Sequence, residues 1–242
     1  MNTLYITGAG VSAESGIPTF RGSDGFWTIG SRNYTPQEMA TRAMYQNDPL
    51  QFLRWYYKRF ATYRNHGPND VHRWLADKNL ITQNIDGLDG KAGNEDYIAI
   101  HGRIDQMTQY HDQSLAHTIV PERTPWEDVD ENDLNATLLS LFRIEGRPEV
   151  NVSFKPYVLL FDEYYTELYR ITEAQQRMLA ADRMVFMGTS FSVNITMMAL
   201  DIARAQRTPI EIVDPEPVNV HYEGTTYHAM TASEYIQRSS GA

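Results

Sequence analysis

Four short polar clusters in this chain follow short apolar runs, and their residue types suit work on a hydroxyl-rich, phosphate-bearing ligand. His101 stands directly before Gly102 and directly after Ile98-Ala99-Ile100. An imidazole titrates near neutrality, so a histidine at a strand end can take a proton from a substrate hydroxyl. Thr82, Gln83, Asn84 and Asp86 follow Asn79-Leu80-Ile81 and precede Gly87; such a set can hold a sugar and an amide. Gly8-Ala9-Gly10-Val11-Ser12-Ala13 follows Leu4-Tyr5-Ile6-Thr7. A glycine turn between a strand and a helix start lets backbone approach a pyrophosphate and offers N–H groups to it. Gly188-Thr189-Ser190 follows Met184–Met187, and Asp214 follows Ile210–Val213.

Each cluster needs an element to carry it. Leu4–Thr7, Asn79–Thr82, Ile98–Ile100, Val158–Phe161, Met184–Met187 and Ile210–Val213 read as buried strands, the last of these closing the series. Helices are predicted from Asp48, with Pro49 in the first turn, over Val71–Lys78, Asn135–Phe142, Thr166–Ala180 and Thr196–Gln206, and a short one begins near Ser12. Strands alternating with helices predict an α/β fold, a mostly parallel sheet covered on both faces. In such sheets ligands bind beyond the carboxyl ends of the strands, where these polar clusters fall. No acidic residue ends a second strand about 20 residues after the glycine turn, where a dehydrogenase binds its ribose. Pro18-Thr19-Phe20-Arg21-Gly22 and Gly25-Phe26-Trp27 form instead a glycine-punctuated aromatic loop suited to covering a nucleotide. Residues 23–47 read as loop with short helical pieces, and residues 103–155, with an acidic run over 122–133, as an inserted module.

The 242 residues carry a net charge of −10 and 42% hydrophobic residues, enough for a real core and against a broad basic face for nucleic acid. The absence of cysteine removes disulfides, a thiolate nucleophile and any cysteine zinc site. It suits a reducing compartment, so a cytoplasmic location is expected. Leu4–Thr7 is too short for the core of a secretory leader, and no run approaches the ~18 apolar residues of a membrane span. His111, Asp112 and His117 match no metal-ligand spacing, and no metal site is predicted.

Taken together, Gly8-Ala9-Gly10-x-Ser12-x-x-Ser15-Gly16-Ile17-Pro18-x-Phe20-Arg21, Thr82-Gln83-Asn84-Ile85-Asp86-Gly87-Leu88, His101-Gly102 and Gly188-Thr189-Ser190 resemble the sirtuin family of NAD-dependent protein deacylases, in family order and over most of the chain. The resemblance implies a Rossmann-like core (1–27, 68–102 and 156–242) with a smaller module (28–67 and 103–155). It implies NAD as cofactor and an acylated-lysine protein or peptide as partner. Gly8, Ala9, Gly10, Ser12, Gly188, Thr189, Ser190 and Asp214 would then hold the phosphates and the adenosine half, with Phe20 and Arg21 in the cofactor loop. Gln83 would hold the nicotinamide ribose; Ile85 and Asp86 would line the nicotinamide pocket. His101 and Asn84 would be catalytic. In the family's reaction the acyl oxygen displaces nicotinamide, a base deprotonates the ribose, and free lysine leaves with O-acyl-ADP-ribose.

Glu38-Met39-Ala40-Thr41, Tyr56-x-x-Arg59 and Thr19 resemble the branch that removes succinyl and malonyl groups. Ala40 would leave room for a longer chain, and Tyr56 and Arg59 would bind its terminal carboxylate. Val158 and Phe161 would contact the acyl-lysine. Three positions depart from the family pattern. The four zinc cysteines are missing, Phe161-Asp162-Glu163 replaces Phe-Gly-Glu, and Ile195 stands where proline is usual. Two alternatives stay open on sequence alone: NAD hydrolysis or ADP-ribosyl transfer, and a non-catalytic sensor of NAD or ADP-ribose.

Overall fold

The computed structural model describes residues 1–19, 35–113 and 119–240. Among these the strands are β1 (Thr3–Thr7), β2 (Asn79–Thr82), β3 (Ile98–Ala99), β4 (Gly102–Gln109), β5 (Glu122–Arg123), β6 (Phe154–Val158), β7 (Arg183–Met187), β8 (Ile210–Asp214) and β9 (Thr225–Ala229). The helices are α1 (Pro36–Met39), α2 (Arg42–Asn47), α3 (Pro49–Tyr63), α4 (Asp70–Trp74), α5 (Leu88–Lys91), α6 (Leu134–Leu141), α7 (Ile171–Leu179), α8 (Asn194–Gln206) and α9 (Ala232–Ser240).

Six strands form one sheet in the order β3-β2-β1-β7-β8-β9, every neighbouring pair parallel. The period of two sorts its side chains onto two covered faces, which is why the strands read as continuous apolar runs. Leu4, Ile6, Phe186 and Ile212 pack with Met178 of α7 and Leu200 of α8. Tyr5, Leu80, Val185 and Val213 pack on the other face with Val71 of α4 and Ile236 of α9. The chain leaves β1 in one direction for β2 and β3, and in the other for β7 to β9. The crevice between the ends of β1 and β7 is therefore the topological switch point.

A second, antiparallel sheet, β5-β4-β6, carries the module. It packs beneath α3, whose Phe52, Trp55, Tyr56 and Tyr57 enter a cluster with Tyr110, Trp126 and Phe142. Asp48 caps α3 by accepting from the Gln51 N–H at 3.0 Å, with Pro49 in the first turn.

Several elements differ from the sequence reading. The turn after β1 is a 3₁₀ helix, Ala9–Ser15, because it is closed at once by Gly16 in the left-handed region. The strand expected at Val158–Phe161 is Phe154–Val158, and it pairs antiparallel with β4 in the small sheet, straddling the boundary expected at residue 156. The helix expected over Thr166–Ala180 is broken at Arg170, whose φ of 56° separates a 3₁₀ turn, Glu167–Tyr169, from α7. Ile210–Val213 is not the last strand: β9 and α9 follow. β9 is an edge strand with polar, exposed residues, so it lacks an apolar run.

Candidate functional site

The polar clusters converge on the switch point. At the end of β1 and β7, the Gly8 N–H donates to Met187 O at 3.0 Å and the Gly10 N–H to Gly188 O at 2.9 Å. A Cβ on Gly8 would lie 2.7 Å from Gly188 O, and one on Gly10 2.6 Å from Gly188 Cα. These glycines thus let two strand-end loops touch, and the two N–H groups are spent on that contact. The sequence reading assigns Gly8 the sharp turn and Gly10 a close backbone approach, with anion donors left to the helix start; in the structure both glycines press against the loop after β7.

The loop after β2 is tied to both neighbours. Gln83 donates its Nε2 to Thr7 O and to Thr189 Oγ1, both at 3.1 Å. Asn84, 8% exposed, donates Nδ2 to Gly8 O at 3.0 Å and to Ser12 Oγ at 3.1 Å. The Gly8 carbonyl can only accept, which fixes the orientation of that amide. What Asn84 retains for a ligand is its carbonyl oxygen, an acceptor. Ser12 Oγ passes the chain on by donating to Asp86 Oδ2 at 2.7 Å, and Asp86 Oδ1 accepts from the Leu88 N–H at 2.9 Å. Ser12 and Asp86 are thus joined, and Ile85 is buried beside them.

His101 closes the crevice from β3. Its Nδ1 lies 3.0 Å from Gln83 O, and its Nε2 lies 2.9 Å from the Tyr165 hydroxyl. A carbonyl accepts only, so the proton sits on Nδ1 and Nε2 carries the lone pair. Burial pushes the imidazole down to about 4, against the pull of the Gln83 carbonyl. At neutral pH His101 is therefore a neutral base. Gly102, next along, has φ of 81°, and its missing side chain is required: a Cβ would fall 2.0 Å from Tyr157 O.

On the outer rim, Ser190 and Ser192 share a hydrogen bond at 2.6 Å, and Asp214 Oδ1 accepts from the Glu216 N–H at 2.9 Å. Phe20 and Arg21, together with Phe26, Trp27 and His117, lie outside the described residues. Among the described residues no three His, Asp or Glu side chains group as metal ligands; the His111 Nδ1 is held by Gln109 O at 2.7 Å.

The residues assigned to the acyl group lie together under α3. Ala40, Tyr56, Val158 and Ile17 belong to one buried cluster. Arg59 is 1% exposed; its guanidinium lies 3.3 Å over the Trp55 ring and donates to Trp55 O at 2.8 Å. Burial draws its pKa down to about 9, opposed by the Tyr56 and Tyr63 phenols. The Tyr56 hydroxyl is buried and finds no hydrogen-bond partner among the described residues. Leaving it so costs about 1–3 kcal/mol, which a ligand acceptor would recover. Arg59 and Asp86, expected in two different pockets, line one small cavity of about 30 Å³ with Ile17 and Asp105. Phe161 is exposed, and its N–H donates to Ala40 O at 2.9 Å. Asp162 turns toward the module and accepts from the Arg42 and Ala43 N–H groups, capping α2. That carboxylate pins the Ala40 loop.

Three residues were not foreseen. His72 is buried between Asn69 and Ser12, with Nε2 3.4 Å from Ser12 Oγ. Its signal was present, since Asn69 and His72 form a capping box at the start of α4. Asp89 is 1% exposed behind Asp86, and burial, reinforced by the Asp86 carboxylate, pushes its carboxyl up to about 7. Tyr165 reaches His101 through a loop whose path no local pattern reveals. A separate groove, of about 590 Å³, is lined by Trp74, Arg183 and Arg238. There Glu211 already accepts from Arg183 and Tyr235.

Comparison with known proteins agrees with this geometry. The Sir2 family model matches residues 8–195. An NAD-dependent protein deacylase from Leptospira interrogans is 31% identical over 87% of this chain and 80% of that relative. NAD-dependent protein deacylase 1 from Caldanaerobacter subterraneus is 29% identical over 98% of this chain and 91% of its own length. The crystal structure of a Sir2 homologue in complex with NAD superposes with a TM-score of 0.73 at 25% identity, covering 98% of this chain and 87% of that one.

Proposed function

Because the chain belongs to the Sir2 family, we propose that it is an NAD-dependent protein lysine deacylase with a preference for acidic acyl groups such as succinyl and malonyl. The groups gathered at the switch point suit the cofactor's sugar and amide: the Asn84 amide oxygen, the Asp86 carboxylate, strand-end hydroxyls and a neutral imidazole. Gln83 and Asn84 would hold the nicotinamide ribose, Ile85 and Asp86 the nicotinamide, and Ser190 and Asp214 the adenosine half. Gly8, Ala9 and Gly10 would bring backbone against the pyrophosphate, with Gly188 and Thr189 packed behind them. When bound, NAD supplies a glycosidic bond that breaks to leave an electrophilic sugar carbon.

His101 then acts as base. Its Nε2 lone pair accepts a proton from a ribose hydroxyl, while Nδ1–H on Gln83 O keeps the ring oriented and spreads the new charge. Asn84, limited to its carbonyl, orients a hydroxyl or water by accepting from it. The single observation behind the acyl preference is the desolvated Arg59 guanidinium beside the orphaned Tyr56 hydroxyl. A carboxylate would give the Tyr56 hydroxyl the acceptor it lacks among the described residues and would add a charge-assisted hydrogen bond to the Arg59 guanidinium. Ala40 adds the space that a larger side chain would fill.

Nicotinamide release from NAD tests both levels, with acetyl-peptide, succinyl-peptide or no peptide. Release with succinyl-peptide, abolished in His101→Ala, is expected. Arg59→Met should lower kcat/KM for the succinyl-peptide by tenfold or more and spare the acetyl-peptide. Equal losses on both would reject the carboxylate role, and peptide-independent release would reject deacylation.

A further inference from the structure

We propose that Tyr165 is a positioning residue whose hydroxyl latches onto His101 Nε2, holding the imidazole in place, and must yield that lone pair to the substrate hydroxyl. This rests on the reading of His101 as the ribose-facing base. The latch follows from a chain of hydrogen bonds whose directions are all determined. Gln83 O can only accept, so His101 Nδ1 donates to it across 3.0 Å. Nε2 is then an acceptor, so the Tyr165 hydroxyl, 2.9 Å away, donates to Nε2. The phenol ring lies nearly parallel to the imidazole, 26° between planes and 5.9 Å between centroids. It packs against the cluster that holds Phe191 and Val193.

The Gln83 carbonyl sets the tautomer, and the Tyr165 hydroxyl answers by donating. The lone pair that the reaction needs is therefore already occupied, so binding a ribose hydroxyl means exchanging one hydrogen bond for another. Tyr165 therefore raises the concentration of NAD required without touching the chemical step.

Tyr165→Phe removes the hydroxyl and keeps the ring. The expected result is a KM for NAD lowered roughly two- to tenfold, the equivalent of one net hydrogen bond, with kcat unchanged. Imidazole ¹⁵N NMR of the free protein should show His101 as Nδ1–H in both proteins, with the Nε2 resonance that of a hydrogen-bonded acceptor in the wild type and moved toward that of a free lone pair in Tyr165→Phe. A fall in kcat at constant KM would mean that Tyr165 carries the proton itself and would overturn the latch. An Nε2 resonance unchanged in Tyr165→Phe would overturn the latch alone. Absence of NAD binding to the wild type by calorimetry would overturn the functional reading and the latch with it.

Discussion

The parallel sheet and the small module solve the same problem with opposite materials. The sheet is held by aliphatic side chains sorted onto two faces, Leu4 and Ile6 to one, Tyr5 to the other, with helices pressed on both. The module has a short three-stranded sheet and a core of rings. Trp126 lies 5.2 Å from Phe60 and 5.4 Å from Phe142, and its Nε1–H donates to Ile104 O at 2.9 Å. Beside it a charge is buried outright. Lys155 is fully buried and donates to Val158 O at 2.8 Å and to Glu163 Oε2 at 3.2 Å, and Glu163 also pairs with Arg42 at 3.0 Å. Related modules are expected to be held by a cysteine-bound zinc, and this chain has no cysteine. Aromatic packing and a closed ion network hold the module together without a cysteine. The lesson is that one crevice is flanked by two regions stabilised by different kinds of contact.

The two regions meet at Gly102, and the largest effect is expected there. It follows His101, opens β4 and packs directly on the Tyr157 carbonyl at positive φ. Gly102→Ala should cost more than about 4 kcal/mol or abolish folding, since neither backbone can retreat. Gly67→Ala is the control, as nothing lies within 4 Å of a Cβ there. Urea midpoints by circular dichroism compare them, and a Gly102→Ala loss below about 1 kcal/mol would show that the junction is soft.

The ion pairs separate the regions next. Lys155→Met leaves Glu163 buried with Arg42 and should cost about 3–5 kcal/mol. Arg183→Met removes a partner of Glu211 at a half-exposed edge of the large sheet, where His228 and Tyr235 remain, and should cost about 1 kcal/mol or less. Lys155→Met combined with Glu163→Leu should recover most of the loss. If the double variant is as unstable as the single one, the module depends on the pair itself and not on avoiding an unmatched charge.

The same contrast governs what the sequence revealed. The parallel core was legible because both faces of each strand are buried, so Leu4–Thr7 and Met184–Met187 are apolar without interruption. The site was legible for the same reason, since polar residues at the ends of such runs have no other evident task. His101, Asn84, Gln83 and Asp86 do converge on one crevice. β9 escaped because an edge strand needs no apolar face. Tyr165 and Asp89 escaped because their roles arise from long-range approach: a loop crossing to β3, and a helix buried behind another carboxylate. The break at Arg170 was hidden because Thr166–Ala180 is apolar at helical spacing on both sides of it. The glycines were recognised correctly as a turn, but their tight partner, Gly188, is 178 residues away from Gly10 and no local pattern links them.

An effect that appears only as pH rises asks whether the sheet region is at ease up to the site itself. Asp89 has its carboxyl pushed up to about 7 by burial, with Asp86 adding to the rise. In the unfolded chain an aspartate titrates near 3.9. The folded protein therefore keeps this proton where the unfolded chain has lost it, and stability attributable to Asp89 falls as pH rises from about 4 to about 7. Above 7 the folded protein carries a buried, incompletely satisfied carboxylate next to a second one. Asp89→Asn preserves shape and the capacity to accept from Thr82 but cannot ionise. Its advantage over the wild type should be small at pH 5 and should grow by roughly 2–3 kcal/mol by pH 8, at about 1.4 kcal/mol per pH unit until the folded-state pKa is passed. Urea unfolding of both proteins across that range measures the difference directly. A pH-independent gap would mean that Asp89 is ionised throughout and compensated, and a gap that shrinks with rising pH would mean that its carboxylate stabilises the fold.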